Sequence, residues 1–128
     1  MIVAGVGCRK GASSDDIGAV IGAALARAGF APEVLDLIAT PELKCDEHGV
    51  AAAAAALGVP LVLIAKADLK AAGARAETRS ERVLALVGIP SVAEAAALAG
   101  GGPTARLIVT RIAIGPATCA LAVSEERS

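Results

Sequence analysis

Gly5-Val6-Gly7-Cys8-Arg9-Lys10-Gly11-Ala12-Ser13-Ser14 is the stretch whose residue types and spacing can do chemistry. Glycines at 5, 7 and 11 allow backbone angles or close approaches that a side chain would block. The turn opens into an amphipathic helix, whose first turn offers unpaired N–H groups and a partial positive charge. Arg9 and Lys10 add two full cations, so an anion is the natural guest, held by Gly7, Cys8, Arg9, Lys10 and Ser13. The same field favours a thiolate at Cys8 where the thiol is exposed. The alternative is that the glycines only make the turn and the cations face water.

Familiar chemistries can be tried against this order of residues. A mononucleotide P-loop needs Gly-Lys followed by Ser or Thr, and Lys10-Gly11-Ala12 excludes it. A dinucleotide site could draw on Gly5, Gly7 and Gly11 with Asp36 on a ribose, but the spacing is loose and the chain is short for two mononucleotide halves. A cysteine phosphatase loop also sets its Cys at a strand end. Here Ser14 stands where that loop requires Arg, so the phosphoryl oxygens would lose their bidentate partner.

Nucleophilic catalysis stays open, with Cys8 or Ser13 attacking and His48 or Glu47 as base. His48, the only histidine, falls at a predicted helix start, where the positive end of the dipole disfavours its protonation. The other reading of His48 is an exposed first-turn residue, since a lone Cys and His carry no motif. No set of His, Cys, Asp and Glu has metal-ligand spacing, so neither a metal nor a cofactor is expected. Glu42, Asp46 and Glu47 read as a solvated acidic patch.

The elements that must position these groups follow from periodicity. Ile2 to Val6 is a continuous apolar run, the pattern of a strand covered on both faces. Ser13 predicts an N-cap, with Asp16 standing in for the usual Glu of a capping box. Ile17, Val20, Ile21, Ala24, Leu25 and Ala28 then recur at helical spacing, and Gly29 closes the helix. Val34 to Ala39 predicts a second strand, broken at Thr40-Pro41, and a polar loop carrying Lys44 leads into a helix over Glu47 to Leu57. Gly58 ends that helix, Pro60 forbids its continuation, and Leu61 to Ala65 predicts a third strand.

Further on, Asp68 predicts the cap of a short helix, and Ala71 to Ser80 a surface loop. Glu81 to Leu86 could begin another helix. Ser91-Val92-Ala93-Glu94 predicts a capping box whose helix runs to about Ala99 and stops at Gly100-Gly101-Gly102-Pro103. Arg106 to Ile114 and Thr118 to Val123, joined at Gly115-Pro116, predict an antiparallel hairpin, and Ser124 to Ser128 a polar tail. The expected fold is α/β: one domain over residues 1–128, a three-layer sandwich whose mainly parallel sheet starts βαβαβ and is closed by the C-terminal hairpin. Ligands gather at the carboxyl ends of parallel strands, which would set Cys8, Arg9, Lys10 and Lys44 along one edge.

Composition narrows the function classes. At 128 residues and 55% hydrophobic the chain can bury a core, but Phe30 is its one aromatic residue, so small aliphatic side chains do the packing. No stacking platform for bases is present, and a net charge of −1 with both signs interspersed gives no footprint for a duplex, so nucleic acid is not an expected partner. Cys8, Cys45 and Cys119 fit neither a disulfide framework nor a zinc set, which indicates a reducing compartment. The N-terminus lacks a basic lead-in and reads as a strand rather than a signal, and Ala52 to Leu57 is too short to span a bilayer. A soluble cytoplasmic protein without a membrane partner is expected.

Three motifs in order carry a resemblance. Gly5-Val6-Gly7-Cys8-Arg9-Lys10-Gly11 with Ser13, then Leu43-Lys44-x-Asp46-Glu47-x-Gly49, then Gly88-x-Pro90-Ser91-Val92-Ala93-Glu94-Ala95-Ala96-Ala97-Leu98 resemble the CobE and CbiG C-terminal family of cobalamin biosynthesis. The likeness covers almost the whole chain, and the length matches stand-alone members. It implies an α/β domain acting in corrin-ring construction on a precorrin or related tetrapyrrole. In that family full-length CbiG opens a ring lactone and releases acetaldehyde, whereas stand-alone members serve the aerobic route. The hydrolase activity is not carried over, because the C-terminal domain alone need not hold it.

Two positions depart from the family pattern. Ala12 replaces a frequent hydroxyl residue, which bears on a side-chain contact but not on the backbone amides. Thr110-Arg111 replaces a Pro-Lys pair, and Arg111 keeps the charge. Precorrins carry many carboxylates, and the N–H-rich turn with Arg9, Lys10 and Lys44 could hold some of them. The expectation is therefore an accessory, carrier or chaperone protein for an acidic tetrapyrrole, with Glu47 and Glu94 mainly structural. The alternatives are an enzyme that hydrolyses or rearranges the ring, and a docking module for other pathway enzymes.

Overall fold

The computed structural model describes residues 1–8, 11–42, 47–77 and 91–124, with Glu47 described by its backbone alone. Arg9, Lys10, Lys44 and Cys45, the helix expected from Glu81 and the tail beyond Ser124 lie outside the described residues.

The apolar N-terminal run forms β1 (Ile2–Cys8), buried from Val3 to Gly7 as a strand covered on both faces must be. Ser13 then caps α1 (Ser14–Ala28): its Oγ accepts the Asp16 N–H at 3.1 Å and the Asp16 carboxylate accepts the Ser13 N–H at 3.1 Å. Aspartate thus closes a reciprocal box in the role usually given to glutamate. Ile17, Val20, Ile21, Ala24 and Leu25 form the buried stripe, and Gly29 ends the helix at φ 79°.

The second strand starts later than the sequence suggests. Pro32–Val34 closes into a 3-10 turn in which Leu35 N–H donates to the Pro32 carbonyl at 3.2 Å. Proline presets the first position of such a turn, and the ladder begins only after it. β2 (Leu37–Pro41) therefore runs two residues past Ala39, with Thr40-Pro41 as its end rather than a break before it. α2 (Glu47–Leu57) and β3 (Leu61–Ile64) follow as expected. α3 (Lys66–Gly73) starts at an Ala65 cap without a side-chain bond, so Asp68 is a first-turn residue rather than the cap, and the helix takes up the start of the expected surface loop.

The last described helix, α4 (Val92–Gly101), absorbs two of the glycines expected to stop it. It is followed by β4 (Arg106–Ile114) and β5 (Ala117–Val123). The five strands form one sheet in the order β3-β2-β1-β5-β4. The first three are parallel, and β5 pairs antiparallel with both β1 and β4.

Helices cover both faces, so the expected three layers are present. On one face α1, with α2 beside it, packs over Ala4, Val6, Cys119 and Leu121. On the other, α4 and α3 pack over Val3, Ala39 and Ala122. Alternation along β1 fixes which residue serves which layer: Val3, Gly5 and Gly7 look toward α4, and Ala4, Val6 and Cys8 toward α1. Gly5 is required by the close approach of α4, because a methyl there would collide with the Ala93 carbonyl oxygen and the Ala97 amide nitrogen.

Candidate functional site

The carboxyl ends of β1 and β2 lie side by side, with Val3 opposite Leu37 and Gly5 opposite Ala39. Thr40 ties the two strands internally by donating its buried hydroxyl to the Val6 carbonyl at 2.9 Å. The start of α2 closes on the same place. A methyl on Gly49 would lie 2.5 Å from the Ala12 carbonyl oxygen and 3.3 Å from the Ser13 carbonyl carbon, so the second loop's helix rests on the first loop's turn. Cys8, the described part of the glycine turn, Ser13 and the helix start that carries His48 thus gather at one edge. Gly11 adopts φ 87°, the left-handed angle that glycine reaches without strain.

Individual roles divide. Ser13 is exposed, and its hydroxyl oxygen accepts the cap hydrogen bond, which leaves its proton as the available donor. His48 is an exposed residue in the first turn of α2. Cys8 is half-buried, and strand alternation packs its side chain with the α1-side core. Cys119 is fully buried, and burial pushes its thiol up to about 12, so it is no nucleophile at neutral pH. Among the described residues no three His, Cys, Asp or Glu side chains are grouped to hold a metal ion.

A cavity of about 410 Å3 opens at the end of β1, bounded by Gly7, Cys8, Val92, Arg111, Thr118 and the Gly115-Pro116 turn. Its walls come from three distant parts of the chain, joined because β5 lies against β1: Gly7 faces Thr118, whose hydroxyl donates to the Gly7 carbonyl at 3.2 Å. A methyl on Gly7 would reach 2.8 Å from Thr118 Oγ1, so glycine here keeps the cavity floor open. A second cavity of about 620 Å3 runs along β3 and α3. Its Arg75 is committed to the backbone, donating to the Ala105 carbonyl at 3.0 Å.

Arg111 did not stand out in the sequence as a site residue, and the signal was only its retained charge. Glu94 differs from its expected part. Ser91 Oγ accepts the Glu94 N–H at 3.4 Å, as a cap should. The Glu94 carboxylate instead accepts the Glu77 N–H at 2.7 Å and the Arg111 N–H at 2.8 Å. It is fully buried, and two amides from other segments outcompete the local partner.

Residues 2–122 match the family model described as the cobalamin synthesis G C-terminus. The chain belongs to this family. It is accordingly a protein of cobalamin biosynthesis. It is 40% identical to a Protein CobE of Sinorhizobium sp over 121 residues, which is 94% of this chain and 79% of that protein. A crystal structure of CobE superposes with a TM-score of 0.90 at 34% identity, covering 99% of this chain and 93% of the other. The cobalamin biosynthesis protein chiG of Agrobacterium tumefaciens str. C58 gives 0.78 at 42% identity, covering 98% and 100%. A cobalamin biosynthesis protein G homologue of Sulfolobus solfataricus shares the fold at 23% identity and TM-score 0.71, over 97% of this chain and 37% of its own.

Among the described residues no helix is long and apolar enough to cross a membrane.

Proposed function

We propose that this protein binds an acidic tetrapyrrole of the precorrin type, as an accessory, carrier or chaperone in corrin-ring formation. The observation that carries the reading is the convergence at one sheet edge: the turn after β1, the α2 start resting on it, and a cavity at the same strand end with Arg111 in its wall. Membership of the cobalamin family supplies the ligand class. Gly7, Cys8 and Ser13, with Arg9, Lys10 and Lys44 of the adjoining loops, form the anion-binding edge. The aliphatic side chains nearby cover the apolar face of the ring.

The test is a titration with hydrogenobyrinic acid followed by the ligand's visible absorbance, repeated with the Arg9→Ala, Lys10→Ala double variant. Micromolar binding that weakens in the variant, and weakens further with salt, is the expected result. Binding by the variant equal to that of the parent removes the two cations from the site. Absence of binding by the parent abandons the tetrapyrrole reading in favour of a docking role, which pull-down of a pathway methyltransferase without ligand would support.

A further inference from the structure

Arg111 lies in a stretch of β4 whose register against β5 breaks twice. On β4, Val109 pairs with Leu121 and Ile112 with Cys119, so three steps along β4 match two along β5. One extra residue is inserted, which is a β-bulge. An earlier irregularity, where two steps along β4 from Leu107 to Val109 match one along β5, has already carried Val109 from the α4 face of Leu107 to the α1-side face. The bulge returns Ile112 to that face and sends Arg111, with Ala113, to the α4 face, where Ala113 stands opposite Thr118 at the cavity wall.

The amide released from the ladder by such an insertion needs an acceptor, and Glu94 of α4 accepts the Arg111 N–H at 2.8 Å. Glu94 therefore holds the bulge in place from the helix side. Arg111 as a residue is half-buried, its guanidinium has no carboxylate partner among the described residues, and it is the charged side chain among the described residues that line the cavity. Thr118 has already given its proton to Gly7, so Arg111 supplies the donors there. At about 410 Å3 the cavity sits low in the range of about 300–1,000 Å3 typical of small-molecule sites, which suits one arm of a large ring rather than the ring itself.

We infer that this cavity takes a single peripheral carboxylate arm of the tetrapyrrole, with Arg111 as its bidentate partner and Glu94 as the residue that positions Arg111. The inference rests on the tetrapyrrole reading and adds a selectivity to it. A guanidinium fork matches a carboxylate and meets a carboxamide with one acceptor and a misplaced donor. The protein thus acts on a ring whose arm in this cavity is still a free acid, ahead of any reaction that amidates that arm.

The experiment titrates the full chain with hydrogenobyrinic acid and with the same ring carrying carboxamides at all its arms. The parent should bind the acid, and Arg111→Ala should lose about 10- to 100-fold in affinity, the range for removing one charge-assisted partner. Arg111→Lys should recover part of that loss. Both the parent and Arg111→Ala should bind the amide ring equally and weakly. Glu94→Gln should weaken acid binding in the parent and add nothing in the Arg111→Ala background, a coupling that general loss of structure would not give. Where Glu94→Gln does not fold, the Arg111 variants decide alone. Parent binding that Arg111→Ala leaves unchanged overturns the arm site while the tetrapyrrole reading stands, and no binding of either ring by the parent overturns both.

Discussion

Replacing Gly5 by Ala tests the contact on which the cavity depends. α4 lies so near β1 that the added methyl would collide with the Ala93 carbonyl oxygen and the Ala97 amide nitrogen, and would sit 2.8 Å from Ala97 Cα. Ordinary contact starts at 3.4 Å, and every atom named is backbone, so no rotamer change can relieve the overlap. The helix must retreat, loosening Ala93, Ala96, Ala97 and Leu98, all of them buried against the sheet or its neighbours. Overpacking costs about 1–3 kcal/mol where side chains can adjust, so about 3 kcal/mol or more is expected here. Against a total stability of about 5–15 kcal/mol this is a large share. For a domain of this size it lowers the melting temperature by about 10 °C.

With no Trp or Tyr in the chain, urea unfolding should be followed by far-UV circular dichroism. Gly18→Ala is the matched control. Gly18 lies inside α1 with nothing within 4 Å of the added methyl, so the same substitution should stabilise by about 0.5–1 kcal/mol. Opposite signs at the two positions are the expected outcome. A Gly5→Ala variant within about 0.5 kcal/mol of the parent, on the scale of an inert surface change, would refute the close-packing account.

Removing the Glu94 side chain leaves the Glu77 and Arg111 amides without their carboxylate, so Glu94→Ala should cost about 2–4 kcal/mol in urea unfolding. Glu94→Gln, which keeps one acceptor oxygen, should lie between that variant and the parent. Cys119, with burial raising its thiol from 9.0 to about 12, should in a Cys8→Ala, Cys45→Ala variant react with a thiol reagent at pH 8 only as fast as the protein unfolds. Its raised value means that between pH 9 and pH 12 the folded chain holds a proton that the unfolded chain has released. Stability should therefore fall across that window, and the fall should vanish in Cys119→Ala. A thiol in the double variant that reacts at the rate of a free cysteine would contradict the burial of Cys119.

Local chemistry was legible wherever its determinants lie within a few residues. The cap at Ser13, the stop at Gly29 and the span of α2 follow from side chains and turns that complete their own hydrogen bonds within one helical turn. The parallel start followed by a hairpin was legible too, because short connections and right-handed crossovers leave few ways to arrange strand, helix and strand. The start of β2 was not, since the apolar residue Val34 fits a strand pattern while Pro32 commits it to a 3-10 turn.

The sequence by itself determined the elements, the class of fold and the anion-favouring character of the stretch from Gly5 to Ser14. Only the tertiary structure decided that β5 inserts beside β1, which carries Thr118 and the Gly115-Pro116 turn to the end of the glycine strand. It also decided the side on which Arg111 stands. Period-two alternation assigns a side chain to a face only while the ladder is unbroken, and β4 carries two breaks, the first turning Val109 to the α1-side face and the second returning Arg111 to the α4 face of Leu107. Glu94 shows the same limit. A capping motif predicts a local bond, and the buried carboxylate instead accepts two amides seventeen residues away on either side, donors that only tertiary packing brings within 2.7 and 2.8 Å of it.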